Sequence, residues 1–369
     1  MSSETISAKR IAMENLKPGM ILARDLVDKS GKLLLSKDTA LSKENFNTIM
    51  LSANPYVFVL ESSIYPDRPS FLDSSQERMP VDIPVKERES FIEFEKEYET
   101  KPDELKDEFK VISEGGKIDQ DKLFSMTDSI MSHLGTKNDV FTYLSNLMNR
   151  DEPTYAHSVN VSLLANLFGV WVNASSEEVY NLTNAALLHD IGKTQIPDEV
   201  LNKKGRLSKS EYDEIKKHTI LGYRILETSN LPKEVKLTAL GHHEKIDGSG
   251  YPLGLKGDKI SKFAKIVSIC DIYDAMTSNR VYRQKICPFD VIKSFEQGSY
   301  GVLDTEMLLL FLQNIAYTYL NSKVKLSNGV EGEIVFINRS DLSNPIIKTV
   351  DEEIIDLKSS KDIHIVTML

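Results

Sequence analysis

The histidines of this chain are concentrated on segments that have the apolar spacing of helices. The chain has 7 histidines in 369 residues, and the region from 157 to 243 carries His157, His189, His218, His242 and His243. Two adjacent pairs, His189-Asp190 and His242-His243, are followed by Asp271 inside an apolar stretch. Imidazole and carboxylate groups gathered in this way are typical ligands of a first-row transition metal. The sequence therefore predicts a metal centre supported by helices.

Apolar residues recur at helical spacing from about position 120 to 320. The segments with this pattern are Tyr155–Trp171, Glu177–Leu188, Lys209–Leu226, Lys233–His243 and Phe263–Met276. In the segment NLTNAALLHDIGK the apolar residues would face the core, so that His189 and Asp190 emerge at the C-terminal end of the helix. Gly192 is then the expected stop signal. His242 and His243 repeat this arrangement after KEVKLTALG.

These seven side chains exceed the needs of one metal ion and suit two. The predicted ligands are one set of His157, His189 and Asp271, a second set of His218, His242 and His243, and Asp190 as a bridge. Two ions about 3.5–4 Å apart with open coordination positions are suited to in-line displacement at phosphorus. Nitrogen and oxygen ligands without thiolate favour iron or manganese, and zinc remains an alternative.

Each ligand has a simpler interpretation when it is taken alone. A single histidine on an amphipathic helix is usually an ordinary core or surface residue, and Asp271 could cap a helix or pair with Arg280. An ionised carboxylate among the isoleucines and valine around Asp271 would nevertheless be costly to bury without a cation. The joint occurrence of all seven residues favours the metal centre. His133 and His364 lie outside the set, and we expect both on the surface.

Composition limits the class of partner. With 55 acidic and 45 basic residues the net charge is -10, which argues against a polymeric nucleic acid but allows a small anionic ligand. The only cysteines, Cys270 and Cys287, exclude a disulfide framework and a thiolate zinc site. The sequence has no apolar run long enough for membrane insertion and no signal-peptide core at its start. We therefore expect a cytoplasmic protein.

The flanking segments predict a multidomain, mainly α protein with β structure at both ends. Turns and short apolar runs, closing with Tyr56–Leu60, predict a small β-rich N-terminal domain at 1–65. Residues 66–135 form a linker with Pro66, Pro69, Pro80 and Pro84, followed by a charged helical segment. An all-α bundle is expected at 136–320, and short alternating strands predict a β module at 321–369.

The charged segment at 85–112 alternates Glu and Lys, with aromatic residues interspersed. This pattern predicts one or two exposed helices, broken near Pro102. Such a stretch is usually a solvated face, and a partner-binding role is the alternative.

Longer motifs around the histidines resemble a known family. They are HDIGK at 189–193, the following IPDEVLNKKGRLSKSEYDEIKKH, HHEKIDGSGYPLGLKGDKIS at 242–261 and DIYDAMTSNRVYR at 271–283. Together they resemble the HD-GYP family of cyclic di-GMP phosphodiesterases, within the HD superfamily of metal-dependent phosphohydrolases. The resemblance covers about 140 to 315. The N-terminal unit and the C-terminal module resemble appendages of some members.

The resemblance implies an HD-type helical bundle around a binuclear or trinuclear centre that hydrolyses a 3′–5′ phosphodiester of cyclic di-GMP. The seven predicted ligands carry over, and Asp190 and Lys193 become the catalytic residues, with Lys193 against the scissile phosphate. The resemblance further implies substrate contacts from Gly250, Tyr251, Pro252, Arg280 and Arg283, with the tyrosine ring on a guanine. The glycine-rich loop could otherwise be a surface turn, and the two arginines could be salt-bridge partners at a helix end.

One departure from the family pattern concerns the number of metal ions. Trinuclear members carry a glutamate four residues before the histidine that corresponds to His157, whereas this chain has Pro153 there and Glu152 one residue out of register. We therefore expect two ions, attack on phosphorus by a hydroxide that bridges them, and pGpG as the main product.

Two other functions stay open at this point. The same chemistry would serve another cyclic dinucleotide, such as cyclic GMP-AMP, because base selectivity depends on the shape of the pocket. A non-catalytic cyclic di-GMP sensor is the third possibility, although such a protein need not keep every ligand. The flanking domains are where we expect a homodimer contact or a signalling-protein partner.

Overall fold

The computed structural model describes residues 8–12, 20–23, 26–27, 32–37, 39, 41, 56–60, 85–134, 136, 139–147, 153–277, 286–360 and 362–369. The chain divides into two compact units, Met1–Val81 and Asp82–Leu369. No helix in the described ranges combines the length and the apolar character needed to cross a bilayer.

The described residues of the first unit contain short antiparallel strand pairs. Strands β1 (Ala8–Ala12) and β4 (Tyr56–Leu60) pair with each other, and β2 (Leu26–Val27) pairs with β3 (Leu33–Leu35). A small apolar core of this unit consists of Met20, Leu22, Leu26, Leu41, Val57 and Val59. The strand expected at Tyr56–Leu60 is present. The proline-containing linker that we predict after it lies outside the described residues, so the boundary at residue 65 stays a prediction.

The second unit is mainly helical, as the apolar spacing predicts. Its described α-helices are α1 (Glu89–Ser113), α2 (Gln120–Met131), α3 (Asp139–Asn146), α4 (Pro153–Trp171), α5 (Ser176–Leu188), α6 (Asp198–Leu201), α7 (Lys209–Lys216), α8 (His218–Glu227), α9 (Lys233–Gly241), α10 (Lys262–Thr277), α11 (Pro288–Gly298) and α12 (Thr305–Thr318). Short 3-10 helices lie at Val85–Glu87, Ile191–Gln195 and Gly257–Lys259.

Helix α1 corrects the interpretation of the charged segment. It is one continuous helix with Pro102 inside it, and it is not exposed on all sides. Apolar residues recur every three or four positions and form a buried stripe of Phe91, Phe94, Tyr98, Pro102, Leu105, Phe109 and Ile112. Proline removes one backbone donor and usually breaks a helix. Burial of this stripe on both sides of Pro102 favours continuation of the helix, because large aromatic side chains leave water there.

The predicted helix Lys209–Leu226 is wrong in one respect, because it forms two helices that meet at Lys217. Helix α7 ends at Lys216 and α8 begins with His218, so that this histidine starts a helix instead of lying in the middle of one. A capping box fixes the start of α7, where the Ser208 hydroxyl accepts from the Glu211 amide and the Glu211 carboxylate accepts from the Ser208 amide.

Gly192 has a packing role, and the prediction that it stops α5 is wrong. Helix α5 already ends at Leu188, and the chain continues into the 3-10 helix Ile191–Gln195. A Cβ atom on Gly192 would overlap with the carbonyl oxygen of His218 and with the Gly222 amide. The absence of a side chain therefore lets the backbone after the His189-Asp190 pair lie directly against α8.

The C-terminal segment forms a five-stranded antiparallel sheet, which confirms the predicted β module. Its strands are β5 (Lys323–Leu326), β6 (Glu331–Asn338), β7 (Asp341–Thr349), β8 (Ile354–Asp356) and β9 (Ile365–Met368), in the spatial order β8-β7-β6-β5-β9. Alternate residues such as Val324, Leu326 and Ile334 are buried and belong to the same apolar core as the helices. Glu296 of α11 accepts a hydrogen bond from the Leu342 amide of β7 at 3.0 Å. The sheet thus packs against the helical part of its unit.

Candidate metal centre

Five different parts of the helical unit deliver the predicted ligands to one place. His157 lies on α4, the His189-Asp190 pair follows α5, and His218 begins α8. His242 and His243 follow α9, and Asp271 lies on α10. Three groups have candidate ligand atoms within 4.8 Å of one another, namely His157/His189/Asp271, His218/His242/His243 and His189/Asp190/His242. The structure therefore brings all seven side chains together, in the two sets that the sequence predicts.

Asp190 lies between the two sets. Its Oδ1 atom lies 3.3 Å from Nε2 of His218 and 3.8 Å from Nε2 of His242. Its Oδ2 atom lies 3.3 Å from Nε2 of His189 and 4.0 Å from Nε2 of His157. Because each oxygen faces a different set, the carboxylate has the geometry of a bridging ligand.

Three of the histidines are oriented by the backbone of the helix turn that precedes them. In each case Nδ1 lies within hydrogen-bond distance of a carbonyl oxygen three or four residues earlier. The pairs are His189 with Ala186 at 2.7 Å, His218 with Ile215 at 2.6 Å, and His242 with Thr238 at 3.1 Å. A carbonyl oxygen can only accept, so Nδ1 carries the proton and Nε2 presents its lone pair to the centre. This is the usual arrangement of metal-binding histidines.

Two atoms at the centre lack the hydrogen bonds that burial normally requires. Nε2 of His189 and Oδ1 of Asp190 are buried and have no hydrogen-bond partner among the described residues. Buried polar atoms of this kind are rare because each costs desolvation energy. A divalent cation would satisfy both atoms. The nitrogen and oxygen donors fit manganese, iron or zinc.

The protonation of the second histidine set also suits a metal. Burial lowers the pKa of His243 to about 4 and lowers the pKa values of His242 and His218. These imidazoles are therefore neutral near pH 7, which is the form that binds a cation. Burial raises the pKa of Asp190, but its electrostatic contacts, led by the Lys193 ammonium group, outweigh burial and hold it well below its usual range. The Asp190 carboxylate is therefore an anion.

His157 differs from the other histidines because carboxylates surround it. Its Nδ1 lies 2.6 Å from Oδ2 of Asp274, and its Nε2 lies 2.9 Å from Oδ1 of Asp271. Burial alone would lower the pKa of His157, but hydrogen bonds to these two carboxylates outweigh it and raise the pKa to about 10. Burial alone would raise the pKa of Asp271, but the hydrogen bond with His157 outweighs burial and lowers it. A cation in the first set therefore competes with a proton on Nε2.

Lys193 lies at the edge of the centre. Its Nζ atom lies 2.5 Å from Oδ2 of Asp190, one turn earlier in the chain. The Lys193 side chain is 22% exposed, so part of it contacts solvent while its ammonium group contacts the Asp190 carboxylate. The structure thus brings Lys193 to the site. Its catalytic role stays a prediction.

The glycine-rich loop packs directly on the second histidine set. The ring of Tyr251 lies 4.7 Å from the ring of His243, and the Tyr251 amide donates to the His243 carbonyl oxygen at 3.2 Å. A Cβ on Gly250 would overlap with the backbone of Glu244 and Lys245, so only glycine fits this close approach. Pro252 follows the tyrosine in the same loop. The predicted roles of these loop residues in substrate binding are not tested by the geometry.

Sequence reasoning missed two buried carboxylates beside the centre. Asp274 holds Nδ1 of His157, and Glu244 accepts hydrogen bonds from the Leu253 amide at 2.6 Å and the Leu255 amide at 2.8 Å. Both are almost fully buried. Their positions carry a signal, because Asp274 lies one helical turn after Asp271 and Glu244 directly follows the His242-His243 pair.

Some predicted residues cannot be placed. Arg280, Arg283 and Glu152 lie outside the described residues. The substrate contacts predicted for the two arginines and the alternative pairing of Asp271 with Arg280 therefore both stay predictions. Pro153 begins α4. Cys270 is buried in the apolar core.

Residues 143–305 match the family described as HD domain. A cyclic di-GMP phosphodiesterase of Pseudomonas aeruginosa is 31% identical over 235 residues, which cover 63% of this chain and 56% of that protein. A cyclic di-GMP phosphodiesterase of Thermotoga maritima is 38% identical over 169 residues, 44% of this chain and 45% of that protein. A 3′3′-cGAMP-specific phosphodiesterase of Vibrio cholerae is 38% identical over 154 residues, 40% of this chain and 29% of that protein. The chain thus spans about half the length of the first two relatives.

Proposed function

We propose that this chain is a metal-dependent phosphodiesterase that hydrolyses cyclic di-GMP, and the match of residues 143–305 to the family described as HD domain supports this proposal. The observation that carries the proposal is the convergence of five imidazoles and two carboxylates on one buried site. Relatives named for cyclic di-GMP hydrolysis support the substrate class.

We further propose that the seven side chains hold two divalent cations. The first would be bound by His157, His189 and Asp271, the second by the three histidines of the other set, and Asp190 would bridge them. Such a pair supplies a nucleophilic water at neutral pH and offsets the charge that builds up on the phosphoryl oxygens. Iron or manganese fits the nitrogen and oxygen donors, and zinc fits them as well.

The side chains around the cations would orient the substrate. Lys193 presents an ammonium group beside Asp190, where it can donate to a non-bridging oxygen of the scissile phosphate. Donors aimed at developing charge stabilise a transition state more than the ground state. Tyr251 is partly exposed beside His243 and offers a ring face for a guanine. Gly250 and Pro252 would shape the backbone around that ring, and Arg280 and Arg283 would contact the phosphates.

The reaction adds one water across one phosphodiester bond. The water oxygen bonds to phosphorus, the bond from phosphorus to the 3′ oxygen breaks, and that oxygen leaves with a proton as a hydroxyl group. The product of one cleavage is the linear dinucleotide pGpG. We propose that the reaction largely stops there, because proline at position 153 offers no carboxylate for a third cation.

A second candidate substrate is a cyclic GMP-AMP. The match to a Vibrio cholerae protein named for the 3′3′ form of that molecule favours it. The metal chemistry would be identical, so the two candidates differ in the contacts to one base.

A hydrolysis assay with both dinucleotides tests the proposal. Protein purified without oxygen and loaded with Mn²⁺ or Fe²⁺ should convert cyclic di-GMP to pGpG. Chromatography of the reaction mixture measures the product. Asp190→Ala should lose both metal and turnover, whereas Asp213→Ala, which removes a surface carboxylate paired with Lys216, should keep both. Faster cleavage of cyclic GMP-AMP would favour the second candidate. Metal binding without turnover of either molecule would contradict the enzyme assignment and favour a sensor.

A further inference from the structure

A chain of hydrogen bonds connects helix α1 to the predicted metal ligand His157. The hydroxyl of Tyr98 on α1 donates to Oδ1 of Asn160 at 2.7 Å. The Asn160 amide donates to Oδ1 of Asp274 at 2.9 Å, and Oδ2 of Asp274 lies 2.6 Å from Nδ1 of His157. The chain therefore runs from Tyr98 through two intermediate side chains to the imidazole.

The direction of each bond is fixed by the groups involved. A phenol hydroxyl beside an amide oxygen must donate, which turns the NH₂ group of Asn160 toward Asp274. An ionised carboxylate can only accept, so Asp274 receives hydrogen bonds from Asn160 and from Nδ1 of His157. Because Asp274 holds the proton on Nδ1, a cation that displaces the proton from Nε2 meets a lone pair directed at the centre. Each bond thus favours the ligand form of the imidazole.

This support differs from that of the other histidines. His189, His218 and His242 donate to carbonyl oxygens within their own turns, which local helix geometry fixes. His157 depends on side chains from α1, α4 and α10. Tyr98 is 2% exposed and Asp274 is 3% exposed, so water does not readily replace either partner. The orientation of His157 is therefore sensitive to the position of α1.

Helix α1 lies outside the segment that matches the HD domain family, which begins at residue 143. It is also the first described α-helix of the second unit, which begins at Asp82.

We propose that Tyr98 is a positioning residue for the metal centre and that it acts on His157 through Asn160 and Asp274. This inference rests on the metal-binding part of the proposed function, but not on the identity of the nucleotide. It makes α1 a structural part of the centre, although α1 lies outside the matched segment.

Paired tyrosine substitutions test the inference. Tyr98→Phe removes the hydroxyl and keeps the ring, which stacks on Phe94. Tyr143→Phe is the matched control, because the buried Tyr143 also bonds to α1, through Ser90 at 2.6 Å, but does not connect to His157. Both variants and the wild type are freed of metal with a chelator. Each is then titrated with Mn²⁺ in a calorimeter, and its melting temperature is measured.

Loss of a direct hydrogen-bond partner of a metal ligand weakens metal binding roughly 10–100-fold, and Tyr98 acts two residues further out. We expect Tyr98→Phe to weaken Mn²⁺ binding about threefold to tenfold, and Asp274→Asn to weaken it more, within that wider range. Tyr143→Phe should leave the affinity within about twofold of the wild type and should lower the melting temperature as much as Tyr98→Phe. In zinc-loaded protein, the Nδ1 proton resonance of His157 should shift in Tyr98→Phe and should not shift in Tyr143→Phe.

Wild-type affinity in Tyr98→Phe, or equal losses of affinity in both phenylalanine variants, would overturn the positioning role and leave the proposed function intact. Failure of the wild-type protein to bind Mn²⁺ would overturn the proposed function and this inference together.

Discussion

Oδ1 of Asp190 lies 3.3 Å from Nε2 of His218, although the two residues belong to separate elements of the bundle. Asp190 follows α5 and His218 begins α8, and the backbone at Gly192 fits directly against the start of α8. This contact joins the Asp190 carboxylate to the second histidine set. The geometry of the centre therefore depends on a glycine that carries no chemistry of its own.

Gly192→Ala should separate these two elements. The added methyl group would overlap with the His218 carbonyl oxygen, and overpacking of this kind destabilises a protein by about 1–3 kcal/mol. We expect a lower free energy of unfolding in urea and weaker Mn²⁺ binding. Gly298→Ala is the control, because a Cβ there meets no atom within 4 Å. Equal metal affinity in the two variants would contradict the role of the close approach.

Lys193→Ala should separate catalysis from metal binding. Lys193 contacts Asp190 but is not among the predicted ligands, so the variant should keep its metal ions. Loss of a donor that stabilises transition-state charge lowers kcat by about 10²–10³. Elemental analysis and steady-state kinetics measure the two effects. The control is Lys203→Ala, which removes a surface lysine paired with Glu211. An unchanged kcat in Lys193→Ala would remove this residue from the reaction.

Glu244→Gln should disturb the glycine-rich loop without removing metal. The Glu244 carboxylate accepts from the amides of Leu253 and Leu255, and a glutamine would turn an NH₂ group toward one of these donors. Because Tyr251 lies in the same loop, we expect KM for cyclic di-GMP to rise about tenfold, equivalent to roughly 1.4 kcal/mol, while metal content stays constant. The exposed Glu234, on the preceding helix, provides the control substitution Glu234→Gln. A wild-type KM in Glu244→Gln would show that the loop does not need this carboxylate.

The metal-free protein should lose stability as the pH rises from about 6.5 to 10. The pKa of His157 is raised from 6.5 to about 10, so its stabilising contribution is complete below pH 6.5 and disappears as the pH passes through the folded-state value. Below pH 6.5 stability should also fall. The pKa of His243 is lowered to about 4, so the unfolded chain gains a proton there before the folded protein does.

Urea unfolding of chelator-treated protein at several pH values measures both limbs of this profile. His157→Gln should flatten the alkaline limb and leave the acidic limb in place. His243→Gln should reduce the acidic limb. An alkaline limb of equal slope in His157→Gln would assign it to other groups.

The sequence predicts the ligands more completely than their supports. Histidine and aspartate at helix ends indicate a metal site by residue type and spacing. The helices that carry His157 and Asp271 begin and end within two residues of their predicted bounds. The support of His157 by Tyr98 arises only when α1 packs against α4. The alternating Glu and Lys pattern of α1 suggests a solvated helix. Its aromatic stripe is buried by partners that are distant in the sequence, so the local pattern does not reveal this burial.

Backbone packing explains the other differences. The helical pattern runs without interruption from Lys209 to Leu226, but the structure breaks it at Lys217, where His218 turns into the centre. Gly192 is a residue type that often ends a helix, whereas its packing role here follows from the close approach of α8. Neither result follows from local propensity, since both depend on contacts between distant segments.

The central claim is that seven side chains hold a pair of cations at one site. Elemental analysis of protein purified without oxygen in the presence of Mn²⁺ or Fe²⁺ and then desalted tests it most directly, with Asp190→Ala measured in parallel. The account predicts two ions per wild-type chain and a large loss in the variant. Three tightly bound ions per chain, no retained metal in the wild type, or an undiminished content in Asp190→Ala would contradict it.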